Sequence, residues 1–166
     1  MENVFFPLGA STIDGLVELE ELEELQLIDG EEYPCLLEDI KSLPLKLKAF
    51  CIHEIDETTE LFNSTGNDFL RSLKPLVRLS LTLGSDFTDL SSLLDWSAIQ
   101  AHASALQYLR MEYTWPELPF SKFQSGFAQF CKAALNLKLL AISGVKVGDG
   151  DDDIVQFLVR SHLTLS

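Results

Sequence analysis

Cys51 and His53 stand two positions apart in the segment LKAFCIH, among alternating apolar residues. In a strand such residues share a face, so a thiol and an imidazole emerge together, the side chains of a nucleophile and its base. They diverge along the strand, however, and no third group to orient the imidazole can be named. A neutral surface pair is the expectation, with a Cys/His hydrolase as the remote alternative. His102 and His162 stand alone in helical segments and read as satisfied structural histidines. Asp149, Asp151 and Asp153 match the first three ligand positions of a calcium-binding EF-hand loop. Ile154 replaces its glycine and Arg160 its bidentate glutamate. The match fails, and the aspartates read as caps for the helix that follows. No phosphate-cradling glycine loop or zinc-type cysteine pairing is present. The expectation is a protein that is not an enzyme, with no catalytic residue, cofactor or metal.

Charge points to surface chemistry instead. The net charge is −14, and residues 1–40 hold twelve acids with no Lys or Arg. The remaining residues carry fourteen acids against twelve bases. Nucleic-acid binding needs clustered cations and is excluded as an expectation. An acidic end suits a basic partner or a solvated, solubilising face. Apolar runs fall far short of the ~20 residues that span a bilayer, and the start, MENVFFPLGAS, lacks the basic residue of a secretory signal. Cys35, Cys51 and Cys131 are odd in number and scattered, so they read as free thiols and small buried hydrophobes in a reducing compartment, cytoplasmic or nuclear.

The elements that must carry these residues repeat. The pattern LxxLxL occurs as LEELQL (22–27), LKAFCI (47–52), LVRLSL (76–81), LQYLRM (106–111) and LKLLAI (137–142), at spacings of 25, 29, 30 and 31 residues. Positions one, four and six are large and apolar each time, so the last three alternate with the period of a strand. Strands are expected near 22–28, 47–53, 76–82, 106–112 and 137–143, with a helix in each interval. Pro34 opens a helix through Lys41 that Pro44 stops. Asp68 precedes Phe69, Leu70 and Leu73 until Pro75, after a turn near Glu60–Phe62 broken by Gly66. Leu90, Leu94 and Ile99 face inward in the third interval, in two helical pieces. Ser121 caps a face of Phe123, Phe127, Phe130, Cys131 and Ala134. Upstream, Ser11 and Asp14 have capping-box spacing for a helix reaching Glu21. No unit buries its apolar face alone, so neighbours must stack.

LxxLxL at this spacing, with a helix in each interval, resembles the leucine-rich repeat family over residues 12–166, in its irregular, ribonuclease-inhibitor-like form. The resemblance implies an α/β solenoid with a curved parallel β-sheet on the concave side and helices on the convex side. Residues 1–166 would form one such domain, with 1–21 as an N-terminal helical cap and a truncated sixth repeat from 163. The family's buried Asn or Cys after the strand is replaced by Glu31, Asp56, Ser85, Trp115 and Lys146, so the turn backbone must find other partners. The wording LLDWSAIQAHASAL followed by LRM is similar to fungal proteins in which such repeats are joined to an F-box. Only 21 residues precede the first strand, too few for that module. The implied function is a protein–protein interaction scaffold, the substrate-recognition part of an F-box-type ubiquitin-ligase adaptor lacking its F-box. An acidic inhibitor of a basic enzyme is the alternative. The partner is a protein, with self-association through an uncapped last repeat also open, and neither nucleic acid nor membrane is expected. Strand positions three, five and seven point away from the core, and there His53, Arg78, Ser80, Tyr108, Arg110 and Glu112 make the candidate partner-binding set, rich in interface-prone Arg and Tyr.

Overall fold

Alternation of apolar and polar residues makes each LxxLxL segment a strand with one buried face, and a computed structural model places these strands side by side. It describes residues 19–28, 33–53, 64–83, 95–113, 118–119, 124–143 and 145–146. The chain is α/β. A 3-10 turn at Leu19–Glu21 leads into β1 (Glu24–Ile28), α1 (Tyr33–Ile40), β2 (Ala49–His53), α2 (Ser64–Ser72), β3 (Arg78–Leu83), α3 (Trp96–Gln100) and β4 (Tyr108–Tyr113). A two-residue strand β5 (Leu118–Pro119), α4 (Gln124–Ala133), β6 (Leu139–Ser143) and the short β7 (Val145–Lys146) follow.

β1, β2, β3, β4 and β6 form one all-parallel sheet in chain order. The register aligns equivalent positions throughout: Leu25, Phe50, Leu79, Leu109 and Leu140 make one row across the sheet, and Leu27, Ile52, Leu81, Met111 and Ile142 the next but one. β5 and β7 pair in a separate two-stranded sheet. Each main strand after β1 also begins with the same joint. The carbonyl of Glu23 accepts the amides of both Lys48 and Ala49, at 2.7 and 3.0 Å, and that of Lys48 accepts Val77 and Arg78 at the same distances. Val77 does so for Gln107 and Tyr108, and Gln107 for Lys138 and Leu139.

The core lies between the sheet and the helices, each of which packs on the next. Leu37 and Ile40 of α1, Phe69 and Leu70 of α2, Ile99 of α3, and Phe127 and Phe130 of α4 meet the inward rows of the strands. Phe50 and Phe69 meet edge to face at 5.2 Å, and Trp96 lies 5.4 and 5.7 Å from Phe127 and Phe130. The first, fourth and sixth positions of the first four segments are buried, whereas Leu137, Leu140 and Ile142 are only partly so.

Polar groups stitch helix to strand and helix to helix. His102 is fully buried: its Nδ1 accepts the Leu76 amide at 3.2 Å and its Nε2–H donates to the Leu70 carbonyl at 3.0 Å. One imidazole thus satisfies both ends of the connection from α2 to β3, as expected of a structural histidine. Asn67 accepts the Asp95 amide at 3.0 Å, Asp95 caps α3 by accepting the Ser97 amide at 2.8 Å, and Arg71 bridges Asp68 and Asp95.

Several expectations need correction. α2 begins at Ser64, so Gly66 and Asp68 lie inside a helix that the sequence breaks at Gly66. Burial of Phe69 and Leu70 and the tie from Asn67 to Asp95 outweigh the ~1 kcal/mol that glycine costs a helix. Cys35 is exposed and Cys51 half-buried, and only Cys131 lies in the core. α1 turns Leu37 and Ile40 inward, which leaves Cys35 on its outer side. The caps at Ser11, Asp14 and Ser121, the turn at Glu60–Phe62, the helix after Asp153 and the sixth strand from 163 lie outside the described residues, as do Glu31, Asp56, Ser85 and Trp115. Among the described residues, no helix is long and apolar enough to cross a membrane.

Candidate interaction surface on the outer face of the sheet

Residues that alternate with the core rows project from the sheet face opposite the helices. Register sorts them into three rows across the strands. The first is Glu24, Ala49, Arg78, Tyr108 and Leu139; the second Gln26, Cys51, Ser80, Arg110 and Ala141; the third Ile28, His53, Thr82, Glu112 and Ser143. All six candidate residues therefore fall on β2, β3 and β4, on neighbouring strands about 4.8 Å apart. The structure brings the set together.

Its side chains pair in ways that spacing alone does not display. The Arg78 guanidinium lies over the Tyr108 ring, 5.5 Å from its centre, a cation–π contact between neighbours in one row. Arg110 donates to the Glu112 carboxylate at 2.9 Å. Nδ1 of His53 and the hydroxyl of Thr82 share a hydrogen bond at 3.1 Å. Thr82, expected to be an open position, is only 5% exposed. Among the described residues Arg78 has no carboxylate partner. Leu139, absent from the candidate set, is 47% exposed beside the 36% exposed Tyr108. The signal for it was already present: a leucine at an outward strand position.

Electrostatics disfavour thiol chemistry here. Burial pushes the Cys51 thiol up, and Glu24 adds to the shift. The hydrogen bond with Ser80 and the charges of Arg110 and Arg78 act in the opposite sense. His53 hydrogen-bonds Thr82 rather than Cys51. A nucleophilic cysteine needs a depressed pKa or a contacting base, and this one has neither. Among the described residues no group of three His, Cys, Asp or Glu side chains is placed to hold a metal ion.

The acidic end is partly neutralised where it meets the sheet. Lys46 pairs with Glu21 at 2.5 Å, and Lys48 pairs with Glu23. Each pair links the entry to β1 with the entry to β2.

Comparison with known proteins adds no relative: no family model matches the chain, and no curated protein or solved structure matches it significantly.

Proposed function

We propose that the chain is a leucine-rich-repeat solenoid that binds another protein through the outer, concave face of its sheet. The observation that carries this reading is the register, which sets Arg78, Tyr108, Arg110, Glu112, Ser80 and His53 in contiguous rows over a buried backbone ladder. Strands about 4.8 Å apart backed by helices that need about 10 Å would curve such a stack toward the strand side. Rigid strands hold this array at little entropic cost on binding, and Arg and Tyr carry much of the energy in protein interfaces. The role in the cell that accords with the repeat type is the substrate-reading part of a ubiquitin-ligase adaptor of F-box type.

A second reading, an acidic inhibitor of a basic enzyme, draws support from the twelve acids of residues 1–40, a stretch with no Lys or Arg. The pairing of Glu21 and Glu23 with Lys46 and Lys48 weakens it, because those carboxylates already have cations.

Affinity purification with the parent chain and an Arg78→Glu/Arg110→Glu variant tests the main reading. Loss of specific partners by the variant supports it. Equal recovery excludes this face as the site, and recovery of basic proteins that salt readily elutes from both forms favours the inhibitor.

A further inference from the structure

The outer face is chemically lopsided in a way that narrows its occupant. Between Ala49 and Leu139 in the first row stand Arg78 and Tyr108, with Cys51, Ser80 and Ala141 as small neighbours in the second. Among the described outward residues of β2, β3 and β4 there are two guanidiniums and one carboxylate, Glu112, a net of one positive charge on a chain of net −14. The next carboxylate in Arg78's row, Glu24, stands two strands away.

The two cations are not equivalent. Arg110 is already occupied by Glu112. Arg78 lies over the Tyr108 ring, 5.5 Å from its centre, and among the described residues it has no carboxylate partner, so its guanidinium is available to a bidentate carboxylate. Beside it, Tyr108 and Leu139 form the exposed apolar part of the row. Among the described residues of these three rows, a run of acids or phosphates would find one cation without a carboxylate, Arg78, and its second charge would face Glu112 or Glu24. A basic segment would meet Arg78 and Arg110. Charge complementarity therefore selects one negative charge next to apolar surface.

We propose, resting on the concave-face reading above, that this strip takes an extended segment of a partner protein carrying a single Asp or Glu side chain and, two or three residues away, a large apolar one. The carboxylate seats on Arg78 and the apolar side chain on Tyr108 and Leu139. Arg78 and Leu139 stand two strands apart, about 10 Å, close to the reach of three extended residues, with Tyr108 on the strand between them.

Selection of a phage-displayed library of random twelve-residue peptides on the full chain, followed by fluorescence-anisotropy titration of the winning synthetic peptide, tests this. The expected winners hold one Asp or Glu near a Leu, Ile, Phe or Met. Changing that acid to Asn or Gln in the peptide, or Arg78→Glu in the protein, should each weaken binding about tenfold or more, as for an interface hot spot. Leu139→Asp should weaken it comparably, and Lys132→Glu at an exposed position of α4 should not. Lysine at the acid position should restore affinity toward the Arg78→Glu variant. Because the peptide changes leave the protein intact, misfolding cannot mimic that result. Winners that map to the outer face but are basic, polyacidic or purely apolar overturn the proposed occupant and leave the concave-face reading standing. Winners indifferent to Arg78→Glu, Arg110→Glu and Leu139→Asp overturn both. A selection that enriches no peptide overturns the proposed occupant.

Discussion

Gly126 of α4 sits so close to Trp96 of α3 that a methyl group added at position 126 would lie 2.6 Å from the Trp96 Cβ and 2.7 Å from its Cγ. Those atoms are next to the backbone and cannot swing away, and the indole beyond them is wedged against Phe127 and Phe130. Two effects compete in Gly126→Ala. Helix propensity favours alanine by about 1 kcal/mol, while overpacking costs about 1–3 kcal/mol. With the contact this short, the clash prevails. Urea denaturation should show a net loss of stability, and a stabilised variant would mean that α3 and α4 pack less closely than described.

His102 makes stability depend on pH in a defined sense. Burial pushes its folded-state pKa below the ordinary value, chiefly by desolvation. The unfolded chain therefore takes up the proton first, and stability falls as pH drops below about 6.5, by at most about 1.4 kcal/mol per pH unit, until the folded-state pKa is passed. A protonated Nδ1 would also confront the Leu76 amide, donor against donor. A His102→Gln variant should be less stable than the parent at pH 8. It should lose this slope, so that the gap between the two narrows on acidification. Parallel curves would show that His102 does not titrate on unfolding.

Asp95 acts in a separate, more acidic window. Its carboxylate is held below the usual range by the Ser97 hydroxyl and amide, with Arg71 adding a smaller share. The stability it contributes is present above its unfolded pKa and lost as pH falls through the lower folded value. Asp95→Ala should cost about 1 kcal/mol at pH 7, the usual worth of a helix cap, and the difference from the parent should vanish in strong acid. A constant difference would assign the effect to packing.

Thiol labelling should rank the cysteines by exposure and charge. Cys35 is exposed, Cys51 is half-buried with its thiol pushed up by burial, and Cys131 is buried with its thiol pushed up to about 11. At pH 8 an aromatic disulfide reagent should react with Cys35 first and Cys131 last. Fast labelling of Cys51 would revive it as a nucleophile.

The strands were legible because leucine at positions one, four and six reports burial, and the period of two that follows reports the backbone. Register came with them, since equivalent positions in successive segments had to share the core. α2 was less legible: Gly66 and Asn67 carry turn propensity, and what holds them helical is a bond from Asn67 to Asp95, 28 residues downstream. His102 read as structural, but its two partners lie 26 and 32 residues away and leave no local trace. On the outer face, spacing placed Arg78 and Tyr108 in one row. Which cation is occupied by a carboxylate and which by a ring depends on side-chain direction, and a strand pattern does not encode that.

The carbonyls of Glu23, Lys48, Val77 and Gln107 each meet the incoming strand through the same two-amide joint, whatever side chain stands there. Such a joint is indifferent to ancestry. Excising residues 48–76 would bring the Glu23 carbonyl up to the amides of Val77 and Arg78 in place of those of Lys48 and Ala49. Duplication of one segment would add a joint of the same form. Gain or loss of a whole segment would thus need no new form of backbone connection at this joint, and every such change would give the outward rows a new width.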